Sequence, residues 1–134
     1  MYADANIFVI ATLDKGVLGQ RARQLIADVR TGKIPLRTSV VTYDEVVWVV
    51  RKACSKTDAM SAGKALLEMQ HLQLLSLAEE HLLLAHSLAE KYALDPRDSL
   101  HLATALAVHE TEFLTEDRDF YTIPEILVKR LNDI

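Results

Sequence analysis

Acidic residues stand at four points where an apolar, strand-like run gives way to a helix-like pattern. They are Asp4 in MYADANIF, Glu45 in TSVVTYDEVVW, Asp98 in DPRDSLHLATAL and Asp117 in FLTEDRDF. Carboxylates gathered without a lysine or arginine between them repel one another. Such a cluster makes physical sense as a seat for divalent cations. Hard ions such as Mg²⁺ and Mn²⁺ take oxygen ligands, and Mg²⁺ keeps several of its waters. Two such ions about 3.5–4 Å apart activate a water and stabilise the leaving oxygen of an in-line displacement. The chemistry indicated is metal-dependent hydrolysis of a phosphodiester with no covalent nucleophile. Asn6 and Thr115 are candidates for side chains that hold a ligand or a water in place.

Each acid also has a local explanation. Asp4-Ala5-Asn6 reads as an Asx-turn and helix cap. Thr42 to Glu45 matches the S/T-x-x-E capping box. Asp95 with Asp98 reads as a cap followed by a first-turn acid that favours the helix dipole. Asp117 and Asp119 fit an ordinary turn. Caps account for each acid singly, but not for their shared place at strand-to-helix junctions.

The elements that must position these residues follow from the apolar pattern. Strand candidates are Met1 to Ala3, Ile34 to Val40, Leu72 to Leu77, Glu112 to Thr115 and a fifth at Glu125 to Lys129. Helical spacing begins at Asn6, breaks at Gly16, and resumes over Val17 to Arg30 until Thr31-Gly32. Further helices are expected from Thr42 to Arg51, from Asp58 or Ser61 to Met69, and from Glu79 to Tyr92. Another runs from Pro96 to about Val108, with proline at its first position. Strands alternating with helices imply parallel pairing through right-handed crossovers. The fold class is therefore α/β, a three-layer α/β/α sandwich around a mainly parallel sheet of four to five strands. In such sheets, sites lie beyond the carboxyl ends of the strands at a topological switch point. Asp4, Glu45, Asp98 and Asp117 can all face that edge.

One domain spanning residues 1–134 suits a chain of this length. With half its residues hydrophobic and a quarter charged, the chain has the composition of a soluble globular protein. A net charge of −4 excludes a generic cationic nucleic-acid binder. The densest basic segment, Arg21, Arg23, Arg30, Lys33 and Arg37, reads equally well as a solvated helix face. Cys54 has no partner for a disulfide, which fits a reducing, cytoplasmic setting, and is expected to be a buried thiol. No signal peptide and no membrane span are evident. The histidines form no metal-ligand pattern, and no nucleotide-cradling glycine motif occurs. His101, one turn after Asp98, is expected to be a partly buried helix residue with contact to substrate as the alternative. Tyr43 and Trp48 could stack on bases, but core or subunit packing is the stronger expectation for Trp48. The Leu-rich run from Leu66 to Leu84 reads most simply as core, with a dimer face as the alternative for part of it.

In the order and spacing of four segments the chain resembles the PIN domain family, and in size its VapC-type toxin nucleases. The segments are D-A-N at Asp4 to Asn6, the glutamate early in the helix after the second strand, D-S-L-H-L-A-T-A-L at Asp98 to Leu106, and T-E-D-R-D-F at Thr115 to Phe120. The resemblance covers nearly the whole chain. It implies a PIN-like fold and an endoribonuclease dependent on Mg²⁺ or Mn²⁺. It further implies catalytic acids at Asp4, Glu45, Asp98 and Asp117, with metal held by Asp4, Asp98 and Asp117. Asn6, Thr115 and Asp119 would be auxiliary. Helical spacing does not decide between Asp44 and Glu45, and motif position selects Glu45. The resemblance also implies an RNA substrate, a homodimer or higher homo-oligomer, and an antitoxin partner if the chain is a toxin.

Two other functions remain open on the residues alone. A Mg²⁺-dependent phosphatase or phosphoacceptor domain would use Asp4 as nucleophile, but it needs a lysine to balance phosphate charge, and none follows the third or fourth strand in the expected place. A non-catalytic PIN-like interaction module would need no acidic set at all.

Overall fold

The computed structural model describes residues 1–134. Five strands form one all-parallel sheet: β1 (Tyr2–Ala3), β2 (Leu36–Ser39), β3 (Leu72–Leu75), β4 (Glu112–Leu114) and β5 (Leu127–Lys129). Their spatial order is β3-β2-β1-β4-β5. The chain builds outward from β1 through β2 to β3, then returns to the other side of β1 for β4 and β5. The switch point of the sheet therefore lies between β1 and β4.

Six helices fill the crossovers: α1 (Ala5–Leu13), α2 (Val17–Arg30), α3 (Val41–Ala53), α4 (Lys56–Leu67), α5 (Glu79–Tyr92) and α6 (Pro96–Ala107). Successive strand residues point to opposite faces, which divides the core in two. Ala3, Leu36 and Leu114 face a cluster with Ile7, Phe8, Leu25, Val46, Val50 and Leu66 from α1 to α4. Their neighbours Tyr2 and Phe113 face the other cluster, with Leu88, Leu102 and Phe120. Tyr2 stacks on Phe113 at 5.1 Å, and Phe113 packs on Phe120 at 4.6 Å. This is the expected three-layer sandwich. The basic segment is structural in part: Arg23 Nη1 donates to the carbonyls of Ala11 and Asp14 at 3.1 and 2.7 Å, satisfying the end of α1.

Several local expectations are corrected. Helix α4 starts at Lys56, earlier than Asp58 or Ser61, because Ser55 caps it. The Ser55 hydroxyl accepts the Asp58 N–H at 3.0 Å. No capping box forms at Thr42. Helix α3 has no side-chain cap, and the Thr42 hydroxyl meets that of Thr38 instead. Cys54 is exposed at the end of α3, where the chain leaves the helix, and is not a buried thiol. Trp48 is 51% exposed, so it is not core. The Leu-rich run is only partly core: Leu66 and Leu75 are buried, whereas Leu67, Leu82 and Leu83 face solvent. No helix is long and apolar enough to cross a membrane.

Candidate functional site

Parallel strands put all their carboxyl ends on one edge, and the acids follow from that. Strand β1 runs directly into α1, with Asp4 as the residue between. Strand β4 ends at Leu114, which places Thr115 and the Asp117 turn beside it. Asp4 is tied to β4 by its own N–H, which donates to the Leu114 carbonyl at 3.0 Å. Glu45 sits one turn into α3 after β2, and Asp98 lies in the first turn of α6.

Asp4 is buried, at 4% exposure, and one of its two carboxylate oxygens is engaged. Its Oδ2 accepts from Asn6 Nδ2 at 2.7 Å and from the Thr115 hydroxyl at 2.8 Å. Asn6 Nδ2 also reaches Thr115 Oγ1 at 2.8 Å, and Thr115 Oγ1 accepts the Asp117 N–H at 3.0 Å. The auxiliary pair Asn6 and Thr115 thus stitches Asp4 to the loop of Asp117. Burial raises the Asp4 carboxyl above its ordinary pKa, against the pull of His101 and of the Thr115 hydrogen bond.

Asp98, Asp117 and Asp119 form the tightest acidic group, with carboxylate oxygens within 4.8 Å of one another. Asp4 lies outside that group of three, and Asp119 takes part directly. The cluster is nevertheless continuous. Burial first, then the charges of Asp4, Asp117 and Glu45, push Asp98 up to about 7. None of the four acids pairs with a lysine or arginine; Arg97 pairs instead with Asp44 at 3.0 Å and Arg130 with Glu116 at 3.2 Å. Asp44 thus points to solvent, whereas Glu45 reaches inward to His101.

Sequence reasoning missed the role of His101. Its side chain is fully buried, not half-exposed as expected. Nε2 lies 2.6 Å from Glu45 Oε1 and 3.7 Å from Asp4 Oδ1, and Nδ1 lies 2.7 Å from the Tyr2 hydroxyl. Burial disfavours the charged ring, but the Glu45 hydrogen bond and the charge of Asp4 outweigh it and raise its pKa. A clue was present: a polar ring one turn beyond Asp98, on the apolar face of α6.

The donors fit a hard divalent cation. All are carboxylate oxygens. Opposite ligands of one Mg²⁺ lie about 4.2 Å apart at the usual bond lengths of roughly 2.1 Å, so a triad within 4.8 Å converges with small side-chain rotations. A large cavity lies elsewhere. It is an apolar groove of 930 Å³ among α1 to α4, lined by Phe8, Leu13, Ile26, Val50 and Leu66, with Arg23 and Arg30. It contains none of the four acids. The carboxylate cluster is a better catalytic candidate, because perturbed titrating groups converge there and not in the groove.

The PIN domain family model matches residues 1–126, and the chain belongs to that family. No curated protein matches it in sequence. Among solved structures it is similar to Mycobacterium tuberculosis VapC20, described as a sarcin-ricin loop cleaving toxin. That match has a TM-score of 0.77 and 14% identity, covering 92% of this chain and 94% of the other. It is also similar to VapBC2 from Rickettsia felis, bound to a DNA fragment from its promoter, with TM-score 0.72, 16% identity and 96% of each chain covered. A toxin-antitoxin complex from Klebsiella pneumoniae matches at TM-score 0.64 and 21% identity over 94% of each chain. At these identities the likeness establishes the fold.

Proposed function

We propose that the protein is a single-domain, metal-dependent endoribonuclease, the toxin of a toxin–antitoxin pair. The observation that carries this reading is the convergence of Asp4, Glu45, Asp98 and Asp117 at one sheet edge without a compensating lysine or arginine. Asp98 and Asp117, with Asp4 behind them and Asp119 beside them, would hold Mg²⁺ or Mn²⁺. Such ions, when bound, lower the pKa of a water and offset charge on the scissile phosphate. The protein's own part is placement. Asn6 and Thr115 occupy Asp4 Oδ2 and leave Oδ1 without a hydrogen bond, 3.7 Å from His101 Nε2. Glu45 is held by Oε1, and its Oε2 is available to accept a proton from the attacking water. A phosphoacceptor role for Asp4 is disfavoured, because its one free oxygen is buried and no lysine pairs with the cluster.

The antitoxin is assigned to the apolar groove among α1 to α4. Its lining suits an apolar segment carrying an acidic residue toward Arg23 and Arg30. The similar VapBC and toxin–antitoxin structures support a protein partner. Homodimerisation is the proposed assembly, with exposed Trp48 on α3 and Leu82 and Leu83 on α5 supplying apolar surface. The deciding experiment is RNA cleavage with and without Mn²⁺, run on wild type and Asp98→Asn in parallel. Mn²⁺-dependent cleavage by wild type alone is expected. Equal cleavage by both preparations would reject the assignment.

A further inference from the structure

We infer that His101, held in place by Tyr2, is a positioning residue for Glu45; this rests on the nuclease reading above. The ring is sealed from solvent, so it acts only through its neighbours. A carboxylate can only accept, so the short contact to Glu45 Oε1 is a hydrogen bond donated by Nε2–H. On the other side, Nδ1 meets the Tyr2 hydroxyl, whose oxygen accepts the Ser39 backbone N–H at 3.1 Å. The chain of contacts thus starts at a backbone group of β2, passes through β1 and α6, and ends on α3. It links helices packed against opposite faces of the sheet.

Glu45 has no other side-chain hydrogen bond. It is partly exposed, at 19%, so without His101 no hydrogen bond would fix its carboxylate at the cluster. The same ring nitrogen faces Asp4 Oδ1 at 3.7 Å and stands between two carboxylates that would otherwise repel. Tyr2 fixes the ring plane by an edge contact at 5.9 Å and is itself stacked on Phe113. A residue needed only to fill the core would have no use for two polar partners, one on each nitrogen.

Two measurements test this. In the metal-free, full-length protein with ¹⁵N-labelled histidine, the Nε2-bound proton of His101 should resonate far downfield and exchange slowly. In Glu45→Ala it should move upfield or be lost to exchange. A ring proton indifferent to Glu45→Ala overturns the inference, whether or not the protein cuts RNA. In Mn²⁺-dependent cleavage, His101→Leu should lower kcat by about 10- to 100-fold with KM unchanged. His101→Gln, whose amide reaches the place of Nε2, should restore most of that loss, and Tyr2→Phe should fall between. His101→Leu with full activity, or a folded His101→Gln no better than leucine, would also overturn it. Should the leucine variant fail to fold, Tyr2→Phe and the ring-proton signal decide. Wild-type protein that cuts no RNA would instead sink the nuclease reading, a separate failure.

Discussion

In the protein free of metal, burial and the charges of Asp4, Asp117 and Glu45 hold the Asp98 carboxyl at a pKa of about 7, with His101 pulling the other way. The unfolded chain loses that proton near 3.8. Between these values the folded state binds more protons, so stability must fall as pH rises from about 4 to about 7. Asp4, also raised, adds to the same slope. We expect the melting temperature in EDTA to decline over that window, and Asp98→Asn to flatten the decline. At pH 8 the variant should be more stable than wild type by on the order of 1 kcal/mol, allowing for solvent screening. Below about pH 4, where Asp98 is protonated in both the folded and the unfolded chain, the two should melt alike. Mn²⁺ should stabilise wild type and not the variant. A purely capping role for Asp98 predicts the opposite sign, a loss of about 1 kcal/mol on removal of the carboxylate. Asp4, Glu45 and Asp117 were legible in the sequence because each follows a strand, and parallel topology maps the strand ends to one edge; Asp98 follows helix α5 and was legible only as a first-turn acid of α6. His101 and Tyr2 were not, because their polar partners come from elements 56 and 99 residues away. Asp119 was seen only as an auxiliary, since its closeness to Asp98 depends on how a short 3-10 turn at Arg118–Phe120 folds back.

Helix geometry shows most clearly where α2 passes the end of α1. A Cβ added at Gly19 would lie 2.0 Å from the Asp14 carbonyl oxygen, which is backbone and cannot swing aside. Gly19→Ala should therefore force the two helices apart and cost about 1–3 kcal/mol, read as a lower denaturant midpoint. Ser55→Ala is the milder case. It removes the hydroxyl that accepts the Asp58 N–H at the start of α4 and should cost about 1 kcal/mol, with the response to Mn²⁺ intact. The element pattern was largely legible because apolar periodicity distinguishes strands from helices. Boundaries were less so. Ser55 was passed over as a cap in favour of residues nearer the apolar repeat. Cys54 was read as buried although the chain leaves the helix there. In both cases the end of one helix and the start of the next compete for a few residues, and only tertiary packing decides.

For the whole molecule, the two halves of the core meet through the sheet. Phe120 joins them to the site: it is fully buried against Phe113 and ends the turn that carries Asp117 and Asp119. Phe120→Ala should cost about 3–5 kcal/mol. It should also weaken Mn²⁺-dependent stabilisation, because the loop loses its anchor. A comparable truncation away from the acids, Leu25→Ala, should lower stability by about 2–5 kcal/mol yet leave the metal response in place. Differential scanning calorimetry with and without Mn²⁺ separates the two.

The stitch between Asp4 and Thr115 spans 111 residues of sequence. Strand β1 finds its neighbour β4 only when most of the polypeptide exists. A ribosome-bound chain that has not yet exposed residue 117 therefore carries no assembled carboxylate cluster. Arrested nascent chains ending before Thr115 should leave surrounding RNA intact, and the complete chain should not. On the proposed nuclease reading, a protein built this way would be inert toward its own messenger and ribosome for most of its synthesis.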